Sequence, residues 1–354
     1  MLERLPRLIV QEGNTMDTQA NTKGDFGHRT VVGTFEPTLQ DAHPTRSYFG
    51  LSLSITWFYL NFRDSDGKLH FGYRGVLGLE GSLHFTCNES RDGALRKVSV
   101  PAGKEFFRGP VITTANADEY AIRSKPPEPG YATGQPFELL RTDTEVRYFE
   151  GEQISFSGRR IGPGMQVYVP SGGSPMLYTS LQHRVSGSAF GKQAEGFLWV
   201  DQCYLPPGVT WRNSTYFKGI ELAWTPFGTE YSDGSIEMGH VCYGADGFNF
   251  AMIATDSGEV LHRTSDVKAR DIKYKGNTFP EHMYYEVDGV DWEWSAVDDG
   301  ELPDQASGHD FYRSSEGWLR RAGETRTPTV YHSYNEFFPP AINAWESTGR
   351  IIGH

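Results

Sequence analysis

The chain has 354 residues, enough for two domains, and combines 14% aromatic and 22% charged residues with 40 Gly and 20 Pro; this is the profile of a globular, turn-rich protein and excludes a disordered or coiled-coil one. The net charge of −12 excludes a general nucleic-acid binder and a protein that docks on anionic membranes, since both need clustered Lys and Arg. Only three cysteines occur, Cys87, Cys203 and Cys242, with no CxxC pair, which excludes a disulfide framework or a cysteine-based zinc site and points to a reducing compartment.

The opening "MLERLPRLIVQEGNTMDTQ" has a short apolar stretch and no small-residue cleavage site, so it does not read as a signal peptide. No window approaches the ~18 apolar residues of a membrane helix. A cytoplasmic protein is expected, and the sequons at Asn88 and Asn213 matter only in a secreted one.

Residues 1–45 are polar and read as an N-terminal arm. From Ser47 the pattern changes: in "LSLSITWFYLNF", Leu51, Leu53, Ile55, Trp57 and Tyr59 share one face of a strand, and Phe58, Leu60 and Phe62 share the other. "RDSDGK" supplies a hairpin turn at Asp66-Gly67. The same grammar continues through "EVRYFEGEQISFSGRRI", "PMLYTSLQHRV", "FLWVDQCYL", "GIELAWTPF", "SIEMGHVCYG", "NFAMIAT" and "HMYYEVDGVDWEWSAV", each short and bounded by Gly, Pro, Asp or Asn. No convincing helical stripe interrupts it, so an all-β barrel or sandwich architecture is expected. The soft stretch "SGSAFGKQAEG" suggests a division into a first β domain over 46–190 and a second over 191–335, with a tail over 336–354.

The common catalytic signatures are missing. There is no G-x-S-x-G elbow, no phosphate or dinucleotide loop, and no H-x-H or H-E-x-x-H among the eleven histidines. No metal and no cofactor are therefore expected, and the partner is expected to be a hydrophobic small molecule. The Glu293-Trp294 pair hints at sugar contact without carrying a glycosidase reading.

"ITWFYLNFRDSDGKLHFGYRGV" resembles the opening of the AttH/carotenoid 1,2-hydratase superfamily, with its aromatic strand followed by a D-x-D-G turn. "GKQAEGFLWVDQCY", "YSDGSIEMGHVCYGADGF" and "EGWLRRAGE" resemble that family's second half. The resemblance spans about residues 46–335 and implies two consecutive lipocalin-like (calycin) β domains. It departs at "DQCY", where relatives carry Asp followed by His, Ser and Trp. The family includes hydratases, cyclases and proteins without known chemistry.

Within that frame one acid stands out. Alternation puts Phe197, Trp199, Asp201 and Cys203 on one face. An acid inside a barrel, against aromatic walls, loses hydration and keeps its proton near neutral pH. It can then serve hydration, dehydration, isomerisation or cyclisation. Asp201 is the expected proton donor, with Tyr204 and His240 as helpers. Trp199, Trp211, Tyr216, His183 and Glu237 are expected to bind substrate. The alternatives are that Asp201 caps a turn while the tryptophans fill a core, that the protein is a lipophilic-ligand carrier, or that it is a carbohydrate-active β protein.

Overall fold

The computed structural model describes residues 30–78, 81–125, 133–170, 175–210, 214, 221–244, 247–276, 279–306 and 313–338. Two antiparallel sheets contain nearly all of them. The first begins with β1 (Val31–Phe35), β2 (Ser47–Tyr48), β3 (Leu51–Asp64), β4 (Leu69–Leu77), β5 (Gly81–Ser82), β6 (Thr86–Arg91), β7 (Ala94–Lys97) and β8 (Val111–Ala115). It continues with β9 (Tyr120–Ser124), β10 (Phe137–Arg141), β11 (Glu145–Glu150), β12 (Ile154–Arg160), β13 (Gly164–Val169), β14 (Met176–Ala189) and β15 (Lys192–Leu205). The second holds β16 (Glu221–Tyr231), β17 (Ile236–Gly244), β18 (Phe250–Thr255), β19 (Val260–Thr264) and β20 (Val267–Lys275). It closes with β21 (Phe279–Val287), β22 (Val290–Glu301), β23 (Arg313–Arg321) and β24 (Pro328–Phe337). The described helical structure is a 3-10 turn at Leu39–Ala42 and a single turn at Pro303–Ala306.

The main path of the first sheet runs β7-β6-β4-β3-β15-β14-β12-β11-β10-β9-β8, and that of the second runs β19-β18-β17-β16-β24-β23-β22-β21-β20. Each sheet curls around its own apolar core. Phe58, Leu60, Phe62, Leu198 and Val200 lie in the first core, and Phe227, Val241, Tyr285, Trp292 and Trp294 lie in the second. The all-β, two-domain lipocalin-like architecture is thus present.

Sheet membership changes between Leu205 and Glu221, later than the division expected at 190–191. That expected position falls in the tight hairpin between β14 and β15, where Ala189 pairs with Lys192. The Gly-rich text there encodes a turn within one sheet; Gly191 adopts φ +81°. The arm expected over 1–45 contributes β1, which pairs with β13, and the 3-10 turn that packs on the first core. β24 extends two residues into the expected tail.

A strand whose two faces are both apolar must be covered on both sides, and β3 meets this by serving two cores. Its other face carries Ile55, Trp57 and Tyr59 toward the second sheet. The sheets join there in a seam. Tyr178 packs edge-on against Trp224 with ring centroids 4.6 Å apart, and Phe71 stacks on Tyr334 at 4.5 Å. The Asn61 amide donates to Glu316 Oε2 at 2.7 Å, and Arg184 Nε donates to Glu230 at 2.6 Å. Gly228 permits the close approach: a Cβ there would lie 2.8 Å from the Phe197 ring.

Candidate active site

Asp201 lies in this seam, outside the first barrel's own interior. Its strand places Phe197, Trp199 and Cys203 with it on the seam face, as alternation requires. Across the ladder, Asp201 pairs with Ser180 of β14 and with Trp57 of β3, which makes a row of serine, acid and indole. Tyr59, Trp199 and Gln182 form the next row.

The acid is 1% exposed. The Tyr178 hydroxyl donates to Oδ2 at 2.8 Å, whereas Oδ1 has no hydrogen-bond partner among the described residues. Loss of hydration pushes the carboxyl up to about 7, although Ser180 and Tyr178 pull in the other direction. Ser180 acts through proximity, its hydroxyl lacking hydrogen-bond geometry.

A second carboxyl shares the seam. Glu221, at the start of β16, is fully buried, and neither of its oxygens has a partner among the described residues. Burial, followed by the charge of Glu336, holds its pKa well above the usual range. Asp201 and Glu221 act electrostatically on the same three groups, Tyr59, Cys203 and Cys242. Both acids therefore lie within electrostatic reach of the same part of the seam.

The aromatic wall is asymmetric. Trp57, Tyr59, Tyr73 and Glu336 point into the seam yet remain only half-buried. Trp57 stacks on Tyr59 at 6.0 Å and lies 6.5 Å from Tyr73, while Tyr59 stacks on Tyr334 at 6.1 Å. The Trp57 side of Asp201 is thus the less completely buried one.

His240 joins the same seam from β17. Its ring stands 5.5 Å from Trp224, Nδ1 lies 3.3 Å from Gln182 Nε2, and Nε2 has no partner among the described residues. Burial drives its pKa down to about 3, so the ring is neutral at physiological pH. Asp201, Tyr178, Trp224, His240 and Gln182 form one continuous chain of contacts.

Other expected site residues sit elsewhere. Tyr204 lies on the opposite face of β15, where its hydroxyl donates to Gln202 Oε1 at 3.1 Å and its ring meets Tyr48 edge-on. The shift of register between Cys203 and Tyr204 does not return it to the seam. His183 also faces the first core, with Nδ1 at 3.3 Å from the Leu198 carbonyl, and burial drives it to about 3. Glu237 accepts from Arg326 and from the Tyr231 hydroxyl in a separate ion-pair cluster. Trp199 is in the seam beside Asp201. Trp211 and Tyr216 lie outside the described residues. Sequence reading missed Tyr178, Gln182, Glu221 and Trp224; a lone charge inside the apolar run "IELAW" was the available signal for Glu221. Among the described residues no group of three or more His, Cys, Asp or Glu side chains gathers to hold a metal ion.

Two curled antiparallel sheets joined face to face define an all-β protein of the two-domain lipocalin-like class. No family model and no curated protein match the chain. Among solved structures it is similar to an AttH-designated protein from Nitrosomonas europaea, with 16% identity over 86% of this chain and 97% of that one and a TM-score of 0.40. It is also similar to kievitone hydratase from Nectria haematococca, with 13% identity over 88% of this chain and 98% of that one and a TM-score of 0.43.

Proposed function

We propose that this protein is an acid–base enzyme of the hydratase, dehydratase, isomerase or cyclase type, acting on an apolar small molecule held in the seam. The observation that carries this reading is Asp201: a dry carboxyl with a pKa of about 7, one oxygen held by Tyr178 and the other without a partner among the described residues. Such an acid is matched to proton transfer at physiological pH.

In the hydration direction, the Asp201 carboxyl gives its proton to one carbon of an alkene, and the neighbouring carbon becomes cationic. The faces of Trp57, Tyr59 and Trp199 stabilise that positive charge. Water adds to the cation, and the oxonium returns a proton to the Asp201 carboxylate, which closes the cycle. Loss of a neighbouring proton to the Asp201 carboxylate instead of water addition gives isomerisation; attack by a second alkene closes a ring and moves the cation, which then loses a proton to the same carboxylate to give the cyclised alkene. Tyr178 holds the carboxylate oxygen in each case. His240 is too weak a base to store the proton; its Nε2, without a partner among the described residues, suits it to orient the water. Tyr204 has no part, because it faces the other core. A terpenoid, steroid or polyketide fits a wall of rings. Catalysis by these side chains requires no cofactor. Three buried free cysteines fit a reducing, cytoplasmic setting, and none of the described helices is long and apolar enough to cross a membrane.

The test is incubation with a panel of isoprenoid and polycyclic alkenes and alcohols in oxygen-labelled water, read by mass spectrometry. The wild type should incorporate label or rearrange a panel member, and Asp201→Asn should bind it without converting it. A wild type that binds a panel member and returns it unchanged would sink the reading in favour of a carrier.

A further inference from the structure

Inside the first barrel, on the face of β15 away from Asp201, lies a second polar constellation with a different balance of charge. Arg141 ends β10, pairs with Tyr120 of β9 across the ladder and is 4% exposed. Its guanidinium lies 5.4 Å from the Tyr120 ring centroid. Among the described residues no carboxylate comes within ion-pair distance of it and no hydrogen bond engages its side chain, although a buried guanidinium carries five donors.

The groups around Arg141 do not neutralise it. Asp143 is exposed on the following turn. Arg160 adds a like charge and is itself paired with Glu36 at 2.5 Å. His183 is neutral at physiological pH and adds no negative charge. Among the described residues the Tyr120 hydroxyl, buried beside Arg141, makes no hydrogen bond of ordinary geometry, Thr56 being the polar side chain that acts on it. Burial pulls the Arg141 pKa down to about 10, which leaves it cationic at physiological pH.

An uncompensated buried cation is costly, and the same molecule shows the alternative. Arg74, in the same barrel, is fully matched by Glu150. The region around Arg141 is covered by the 3-10 turn Leu39–Ala42, anchored by the Tyr48 hydroxyl to the Asp41 carbonyl at 2.9 Å and by the Gln202 amide to the Ala42 carbonyl at 2.8 Å. An open cleft of about 1010 Å³ lies on the outer side of that cover, lined by Glu36, Leu39, Asp143 and Arg160 among others.

We propose that the Arg141–Tyr120 end of the first barrel is a binding site for the carboxylate of a small organic acid. The guanidinium fork matches a carboxylate in two parallel hydrogen bonds, and the Tyr120 hydroxyl supplies a third donor. Leu39 and Val200 belong to the same apolar core as Tyr120, so a carboxylate carrying a short alkyl chain suits this end of the barrel better than a bare ion. The site is independent of the Asp201 chemistry, because Tyr120 and its partner Arg141 belong to the first barrel's interior and Asp201 faces the seam.

The experiment is calorimetric titration of the full chain with sodium hexanoate and sodium acetate, using sodium chloride at the same ionic strength as the reference. Thermal unfolding is followed in parallel. Saturable binding of hexanoate, with a raised unfolding temperature, is expected. Arg141→Gln should weaken it about ten- to hundred-fold, as loss of charge-assisted hydrogen bonds does, and Asp201→Asn should leave it unchanged. If Arg141→Gln does not fold, Tyr120→Phe carries the test: weakened binding supports the site, and unchanged binding overturns it. The proposal is also overturned if neither carboxylate binds, if chloride alone binds, or if Arg141→Gln binds hexanoate like the wild type.

Discussion

Arg74 and Asp201 are both fully buried in the first sheet, on opposite faces, and their surroundings treat them differently. Arg74 donates through Nε to Glu150 Oε1 at 2.6 Å and through Nη2 to Oε2 at 2.5 Å. Its Nη1 reaches Ser82 Oγ and the carbonyls of Leu83 and Phe107, while the Tyr148 hydroxyl donates to the same carboxylate. Every strong donor there has an acceptor. Among the described residues Asp201 has one hydrogen bond and an open oxygen, and Glu221 has neither oxygen paired. A satisfied buried pair fixes a conformation; an unsatisfied acid raises the folding cost and remains available for proton transfer. The contrast separates a structural centre from a chemical one within one strand layer.

Breaking the satisfied side should produce the largest loss of stability. Arg74→Met leaves Glu150 buried and unpaired and should cost about 3–5 kcal/mol in urea unfolding. Adding Glu150→Met should restore most of that loss; a double variant as unstable as the single one would show that the pair is not the unit.

On the other side the sign reverses. The Asp201 carboxyl is held at about 7 against an ordinary 3.8, so the folded chain binds the proton more tightly than the unfolded chain. Its stabilising contribution is complete below pH ~4, declines as pH rises toward 7, and is lost above that. Asp201→Asn should therefore match the wild type near pH 4 and exceed it at pH 8 by up to roughly 4 kcal/mol, following the linkage of about 1.4 kcal/mol per unit. Equal unfolding curves at both pH values would contradict a desolvated acid. Catalysis that uses the protonated form should fall as pH rises past about 7, measured as turnover against pH.

Glu221→Gln should likewise stabilise the protein at neutral pH, because burial and Glu336 both disfavour its charge. Chemical denaturation at pH 5 and pH 8 checks this, with the gain larger at the higher pH. The smallest effect is expected of Tyr178→Phe. Removing one hydrogen bond should change stability by about 1 kcal/mol and move the descending limb of activity to higher pH, since that bond helps hold the Asp201 pKa down. A limb that moves to lower pH would contradict the assignment.

Much of this contrast was legible from the residues, and part was not. The alternation of "LSLSITWFYLNF" shows two apolar faces, which already implies cover on both sides. "FLWVDQCYL" isolates Asp201 as a charge within an apolar strand, and the structure buries it as expected. In "SIEMGHVCYG" alternation puts His240 and Glu237 on opposite faces, and the structure has His240 beside Gln182 and Glu237 beside Arg326. Tyr204 was expected to help Asp201 as a donor or proton relay, although strand alternation itself puts it on the opposite face, and there the structure holds it against Gln202 and Tyr48. The division at 190–191 failed for a related reason: a Gly-rich turn looks the same whether it joins two strands of one sheet or two domains.

By itself, the sequence determined that this chain is all-β, that its long strands are buried on both faces, and that one acid lies among aromatic residues. Those properties follow from local periodicity, which every strand carries in its own side chains. Only the tertiary structure decided that Asp201 faces the seam instead of a barrel interior, that Tyr178 and Glu221 join it there, and that Arg141 has no ion-pair partner among the described residues. These are contacts between residues far apart in the chain, set by which curled sheet covers which face, and no local pattern records that pairing.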